Sequence, residues 1–271
     1  MIGIYDSGVG GLHVLSALQK HLGEDYGFCY LADTEMIPLG QKSPTEIKTR
    51  MEQACEWFFR NNCSLVLLAC NTASVVSIRH LQTEWLGNRY PARNVLGINI
   101  PLLEYMQTHH SGLRTKPGIV LSTAATYATR FYEVELRARG FSQIHGIGCS
   151  RLPLAIEKQD EALISHELRY IADKFLTLGA GEQPAYIVHA CTHFPLINHM
   201  FEQSFAGVRL IDHADWTARQ LVAYLHKHPS YVPAPSPARY FATGDQANLR
   251  RVLHAQSNKK QYEVGVAQIG K

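Results

Sequence analysis

Short apolar and β-branched runs alternate with longer, helix-like stretches along the whole chain. The short runs predict strands at Ile2–Tyr5, Cys29–Ala32, Leu65–Ala69, Val95–Ile98, Ile119–Leu121, Ile144–Ile147, Tyr186–His189 and Arg209–Ile211. The longer stretches predict helices at Gly11–His21, Pro44–Asn61, Thr72–Leu86, Thr126–Arg139, Glu161–Leu178, Phe194–Phe205 and Ala214–His226. This alternation is typical of βαβ units and therefore predicts an α/β protein with mainly parallel sheets.

The start of one predicted helix has a clear sequence signature. Ser43 is followed by Pro44 and, three positions after the serine, by Glu46. Serine is a preferred N-cap residue, and proline is favoured at the first helical position because its missing N–H would have no helical partner there. We therefore expect this helix to begin at Pro44.

A weak internal duplication relates the two halves of the chain. Ala69-Cys70-Asn71-Thr72 and Ala190-Cys191-Thr192-His193 each follow an apolar strand and lead into a predicted helix, and small polar clusters end an earlier strand in each half, at Asp6-Ser7-Gly8 and Ser122-Thr123. The pattern predicts two similar, open, mainly parallel-sheet α/β domains that face each other across an active-site cleft. We expect 1–94 plus 208–271 to form the first domain and 95–207 the second.

Composition and charge narrow the functional classes. The 271 residues carry 26 basic and 23 acidic side chains, a net charge of +3, and the charges are scattered without long runs of one sign. We therefore expect neither a nucleic-acid-binding surface nor a membrane-binding surface. The opening Met1–Tyr5 has no basic leader, and no apolar run approaches the ~18–20 residues that span a bilayer. A cytoplasmic protein is expected.

Two of the six cysteines occupy positions suited to chemistry. Cys70 and Cys191 are both predicted where a parallel strand ends and a helix begins, the edge at which such sheets bind ligands. Unpaired N–H groups at a helix N-terminus lower the pKa of a thiol, so we expect thiolate character at both positions. The same N–H groups, with Asn71, Thr72 and Thr192 beside them, are suited to binding a carboxylate.

Asp6 and His193 are candidate partners of these thiols. Asp6 directly follows the first strand, where its carboxylate could orient or deprotonate a thiol or simply form a helix-entry turn. His193 stands two residues after Cys191 and could be its base. A zinc site would use Cys191, His193 and His199, but this set falls short of four ligands at metal spacing, so we expect no metal.

At these residues the chain resembles glutamate racemases of the aspartate/glutamate racemase superfamily. Three segments carry the resemblance: Asp6-Ser7-Gly8-Val9-Gly10-Gly11, Ala69-Cys70-Asn71-Thr72-Ala73-Ser74 and Cys191-Thr192-His193-Phe194-Pro195-Leu196. Weaker agreement, including Cys149 to Glu157, extends in order along nearly the whole chain. The resemblance implies a cofactor-independent bacterial isomerase that interconverts L- and D-glutamate and supplies D-glutamate for peptidoglycan synthesis, and it leaves a homodimer open.

The family's site roles map onto specific residues here. The resemblance implies that Cys70, assisted by Asp6, serves one face of the α-carbon and that Cys191, assisted by His193, serves the other. It further implies that the α-carboxylate and amino group are held by Asn71, Thr72, Thr123 and Thr192. The side-chain carboxylate would be held by Ser7 and the backbone at Leu39 and Gly40. No organic cofactor is implied.

Several departures from the family pattern concern the substrate. Leu39 stands where the family usually has tyrosine, and His213 stands where a serine usually follows the aspartate; either change could alter how the distal carboxylate is held. Ser122 and Ala190 replace usual glycines. Two alternatives therefore stay open: a related racemase or decarboxylase acting on another small carboxylate, such as aspartate, a hydantoin or a malonate, and a non-catalytic amino-acid-binding relative.

Overall fold

The computed structural model describes residues 1–180, 183–256 and 262–270, which form ten strands and eleven α-helices. The strands are β1 Ile2–Asp6, β2 Phe28–Ala32, β3 Leu65–Leu68, β4 Asn94–Gly97, β5 Gly118–Thr123, β6 Ile144–Cys149, β7 Tyr186–Ala190, β8 Arg209–Ile211, β9 Arg239–Ala242 and β10 Val264–Val266. The helices are α1 Gly11–Leu22, α2 Pro44–Arg60, α3 Asn71–His80, α4 Asn99–His109, α5 Ala124–Ala128, α6 Phe131–Ala138, α7 Leu152–Lys158, α8 Glu161–Phe175, α9 Asn198–Ser204, α10 Ala214–Lys227 and α11 Ala247–Gln256.

Two wholly parallel sheets repeat one strand order. The larger sheet runs β10-β9-β2-β1-β3-β4 and the smaller runs β6-β5-β7-β8, so four strands of each follow the same order, 2-1-3-4. The predicted α/β class, with two similar parallel-sheet halves, is confirmed. All eight predicted strands are present, whereas β9 and β10 were not predicted.

The exchange points between the sheets differ from the predicted residue ranges. β4 pairs with β3, so 95–97 belong to the six-stranded sheet, and β8 pairs with β7, so 209–211 belong to the four-stranded one. The chain therefore crosses between sheets after Gly97 and again after Ile211, rather than at 94 and 207. Strands β4 and β8 each pair with the neighbouring strand of their sheet because this pairing satisfies their backbone N–H and C=O groups. The division into two domains itself stays a prediction.

Three predicted helices are shorter or broken. The helix predicted at 126–139 is split into α5 and α6 by Arg130, which adopts a left-handed conformation with φ of 56°. The helix predicted from Phe194 begins instead as a 3₁₀ turn at Phe194–Ile197, and α3 ends at His80 in a π-helical turn. Helices α4, α7 and α11 were not predicted. Within the described ranges, no helix is long and apolar enough to cross a bilayer.

Both faces of each sheet are covered by apolar side chains. In β1, Ile2 and Ile4 face one core cluster of the larger sheet and Tyr5 faces another. In β5, Ile119 and Val120 divide in the same way between two clusters of the smaller sheet. This double burial is expected for parallel sheets and explains why the strands read as continuous apolar runs. Because both faces of each sheet are apolar, the polar side chains of the two sheets lie together at the strand ends.

Helix α2 offers a direct test of the sequence-based boundaries. Ser43 accepts a hydrogen bond from the Glu46 N–H, and Glu46 accepts one from the Ser43 N–H, a complete capping box. We expect Ser43→Ala to lower the free energy of unfolding by about 1 kcal/mol, since the first helical turn loses this acceptor. Urea denaturation measures the change. Ser43→Asn, which keeps an acceptor, is the control; equal losses in both variants would contradict the cap's role.

Candidate active site

The site lies where the strand order of each sheet changes direction. In the order 2-1-3-4, helices leave adjacent strands toward opposite faces, which opens a crevice at the carboxyl ends of the central pair. In the larger sheet this pair is β1 and β3, which end at Asp6 and just before Cys70. In the smaller sheet it is β5 and β7, which end at Thr123 and just before Cys191. The two crevices form one cleft.

The cleft gathers nearly all of the residues predicted from the sequence. Every predicted site residue except Asp6 lines it: Ser7, Leu39, Gly40, Cys70, Asn71, Thr72, Thr123, Cys191, Thr192 and His193. Asp6 is fully buried and contacts residues that line the cleft without lining the cleft itself. One wall is apolar, formed by Ile37, Pro38, Leu39, Pro153 and Leu154. No lysine or arginine is among the described lining residues.

Cys70 is a buried thiol at the N-cap of α3. Its Sγ lies 3.8 Å from the hydroxyl of Ser7. Burial, followed by the nearby Asp6 carboxylate, raises the pKa of Cys70 to about 12, although the Ala73 N–H acts in the opposite direction. The expected thiolate character is therefore wrong for the ligand-free site, because desolvation outweighs the N-terminal N–H groups. Cys70 is a neutral thiol here.

Asp6 connects the two halves of the molecule. Its carboxylate accepts hydrogen bonds of 2.9 Å from the Gly8 N–H and from the Thr192 hydroxyl, which belongs to the other half. Burial raises its pKa, while the nearby His193 opposes the rise. Gly11 permits this packing, since a Cβ there would lie 2.5 Å from the Asp6 Cβ. The carboxylate is thus held in place behind Cys70.

Cys191 is part of a chain of polar groups. Its Sγ lies 3.7 Å from Nδ1 of His193, whose Nε2 lies 2.7 Å from Glu157. Glu157 also accepts a 2.8 Å hydrogen bond from the Val9 N–H and another from the Asn248 amide. Although burial opposes it, hydrogen bonding to Cys191 and Glu157 raises the pKa of His193 well above its usual range. The imidazole is therefore protonated at neutral pH.

Glu157 and Asn248 were not among the predicted site residues. Glu157 lies in α7, and the weak resemblance of the segment from Cys149 to Glu157 was the signal that could have identified it. Asn248 lies in the unpredicted helix α11, so its approach depends on tertiary packing alone. The setting of Cys191 also differs from expectation. A 3₁₀ turn follows it after two residues, so its thiol is not at the N-terminus of the expected α-helix.

Threonine hydroxyls join the halves beside the thiols. Thr72 Oγ1 lies 2.8 Å from Thr123 Oγ1, and Thr126 Oγ1 lies 3.1 Å from each of them. Gly40 packs against this group so closely that a Cβ would lie 2.4 Å from the Thr123 Cβ. The Pro38–Gly40 loop is therefore pressed onto the threonines, and hydroxyl donors line the floor of the cleft.

Two suggested histidine roles do not fit the geometry. His213 lies outside the cleft lining and contacts Thr217 at 3.0 Å, so it is not an anchor for a distal carboxylate. His199 is likewise absent from the lining. In the described part of the chain, no group of three or more His, Cys, Asp or Glu side chains is arranged to hold a metal ion.

Fold and site together define the class of this protein. It is an α/β protein in which two related parallel sheets, each with a cysteine after the equivalent strand, face one cleft. The glutamate racemase of Roseobacter denitrificans is 33% identical over 92% of this chain and 93% of its own length. No model of a known protein family matches the sequence. The chain belongs to the glutamate racemase family.

Solved structures agree with this assignment. A glutamate racemase isoform of Bacillus anthracis superposes with a TM-score of 0.81 over 99% of this chain and 97% of its own, at 23% identity, a likeness of fold alone. Escherichia coli glutamate racemase, solved with L-glutamate and an activator, is 26% identical with a TM-score of 0.73 over 99% of this chain and 98% of its own. The match covers both sheets and the cleft between them.

The His193–Glu157 pair generates a pH-dependent prediction. The stabilisation that the raised pKa of His193 contributes is fully present below pH 6.5. It is lost as the pH rises through the raised pKa of the folded protein. The stabilisation that the lowered pKa of Glu157 contributes is fully present above pH 4.5. It is lost as the pH falls through the lowered pKa of the folded protein. We expect Glu157→Gln to destabilise the protein by about 3–5 kcal/mol between pH 4.5 and pH 6.5, and by less at alkaline pH.

Thermal unfolding of wild type and Glu157→Gln across the pH range measures this difference. Glu202→Gln, which neutralises an exposed carboxylate in α9, is the matched control. A loss of stability in Glu157→Gln that is the same at every pH would show that packing, not the ion pair, accounts for the effect.

Proposed function

We propose that the protein interconverts L- and D-glutamate by proton transfer at the α-carbon without a cofactor. The observation that carries the proposal is the placement of Cys70 and Cys191 after equivalent strands of two related sheets, on one cleft. Racemisation needs a base on one face of the α-carbon and an acid on the other, and two facing thiols are the smallest set that supplies both. The D-glutamate would feed peptidoglycan synthesis in a bacterial cytoplasm.

The surroundings of the thiols suit this chemistry. Cys191 lies beside a protonated imidazole that can return a proton to its sulfur, and Cys70 lies beside a carboxylate that can accept one. When a substrate ammonium group enters, its positive charge favours the Cys70 thiolate. A proton then leaves one face of the α-carbon to one sulfur, and the other sulfur delivers a proton to the opposite face. The directions exchange when the other enantiomer binds.

Neutral donors would hold the substrate carboxylates. The amide of Asn71 and the hydroxyls of Thr72 and Thr123, which line the cleft, would bind the α-carboxylate and stabilise the negative charge that develops there after proton removal. Ser7 and the backbone at Leu39 and Gly40 would hold the distal carboxylate. The low exposure of the cleft strengthens each of these interactions.

A second candidate substrate class is favoured by the apolar wall. Leu39, Pro153 and Leu154 line one side of the cleft and offer no side-chain donor to a distal carboxylate. The cleft therefore lacks, at these side chains, a donor that would select the longer glutamate over aspartate, and aspartate is the alternative substrate for the same two thiols. Circular dichroism of the purified protein with each enantiomer of glutamate and aspartate compares the two.

The two-thiol mechanism predicts that neither cysteine is dispensable. We expect Cys70→Ser and Cys191→Ser each to reduce racemisation about 100-fold or more, because a serine hydroxyl is a far weaker acid than a thiol. Circular dichroism started from each enantiomer measures the rates. Cys63→Ser, at the opposite end of the sheet, should retain full activity. Near-normal turnover of both enantiomers by either site variant would overturn the mechanism.

Leu39 provides a test of substrate binding. It is 2% exposed and opens the 3₁₀ turn beside the cleft. We expect Leu39→Tyr to lower the Michaelis constant for glutamate about tenfold, because the phenol can donate to the distal carboxylate. Leu39→Phe adds the ring without the hydroxyl and separates the effect of volume from that of the hydrogen bond. Weaker glutamate binding by the tyrosine variant would mean that the pocket is built around leucine.

A further inference from the structure

A buried hydrogen bond between Tyr132 and Asn71 joins the two halves of the molecule beside the cleft. Tyr132 lies in α6 of the second half, and its hydroxyl donates to Oδ1 of Asn71, the first residue of α3 in the first half, at 2.5 Å. Tyr132 is 2% exposed and Asn71 is 1% exposed. Tyr132 does not line the cleft, whereas Asn71 does. Tyr132 therefore contacts the Asn71 amide from the side that is away from the cleft.

The other end of the same amide has no partner among the described residues. Nδ2 of Asn71 is buried there without a hydrogen bond, although Asn71 lines the cleft. A buried donor without an acceptor is costly, and such groups persist where a ligand completes the bond. A carboxylate offers only acceptors and would complete this one.

Tyr132 determines which end of the amide is free. Within the described chain, its hydroxyl makes no other hydrogen bond. If the amide flipped, Nδ2 would point to the tyrosine oxygen and the phenolic hydrogen would lose its acceptor in a buried site. The flip would also present Oδ1 to the cleft, where it would repel a carboxylate. The observed orientation avoids both penalties.

We propose that Tyr132 is a positioning residue that fixes the Asn71 amide so that its NH₂ group donates to the substrate α-carboxylate. This inference rests on the proposed function and names a determinant of substrate binding in the same site. Because the two residues lie on opposite halves, the donor is oriented when the halves are together. Burial raises the pKa of Tyr132 well above its usual value, so the hydroxyl remains a donor over the working pH range.

The first test removes only the hydroxyl. We expect Tyr132→Phe to raise the Michaelis constant for glutamate and to weaken D-glutamate binding, measured by calorimetry, about tenfold, with a smaller change in kcat. Tyr186→Phe is the matched control, since Tyr186 is a buried tyrosine of the same half whose hydroxyl has no partner. An unchanged Michaelis constant and unchanged affinity in Tyr132→Phe would overturn the proposal.

A double-mutant cycle shows whether Tyr132 acts through Asn71. In the Asn71→Ala background, Tyr132→Phe should cause no further change in the Michaelis constant, because there is no amide left to orient. Equal fold-changes in both backgrounds would mean that the tyrosine acts by another route and would overturn the proposal. Thermal unfolding of each variant accounts for any general loss of structure.

Failure of this inference can be separated from failure of the proposed function. Wild type that racemises glutamate, together with a Tyr132→Phe variant that behaves like wild type, overturns the role of Tyr132 alone. Wild type that does not racemise glutamate overturns the proposed function. The calorimetric comparison then still decides the role of Tyr132, because it measures binding of D-glutamate without turnover, and absence of binding to wild type would overturn both.

Discussion

The buried carboxylate of Asp6 is the constraint around which the site is arranged. A charge without solvent contact must be paired or hydrogen-bonded, and Asp6 obtains its partners from both halves: the Gly8 N–H on its own side and the Thr192 hydroxyl on the other. The contact therefore requires the strand ends β1 and β7 to meet. Gly10 allows that approach, since a Cβ there would lie 2.7 Å from the Thr192 hydroxyl. The cleft, and the placement of a thiol on each side of it, follow from this meeting.

The two thiols share a position in the repeat but not an electrostatic environment. Cys70 lies near a carboxylate, which disfavours its thiolate, while Cys191 lies near an imidazolium that Glu157 keeps charged. Each half thus pairs its sulfur with a titratable group of a different kind. A reaction that moves a proton from one face of a carbon to the other uses one carrier as base and one as acid, and two sulfurs with different titratable neighbours are suited to these two roles.

Polar groups that cross between the halves also prepare the substrate-binding surface. The hydroxyls of Thr72, Thr123 and Thr126 satisfy one another, and Tyr132 satisfies one end of the Asn71 amide. These bonds hold the donors in fixed orientations before substrate arrives, so that little ordering is required at the moment of reaction. Nδ2 of Asn71 is the exception: it has no partner among the described residues, and it is the donor that we propose for a substrate carboxylate.

The sequence by itself determined the α/β class, eight of the strands, the N-cap at Ser43 and, together with the family resemblance of its motifs, ten of the residues that line the cleft. The first three depend on local pattern, and the placement of both cysteines follows from the rule that parallel sheets bind ligands at their carboxyl edge. Only the tertiary structure decided the strands β9 and β10, which form by pairing outward from the edge of β2. It also decided the protonation of Cys70 and the approach of Glu157, Asn248 and Tyr132 to the site. Burial and contacts between distant segments control these properties, and neither can be read from residues adjacent in the chain.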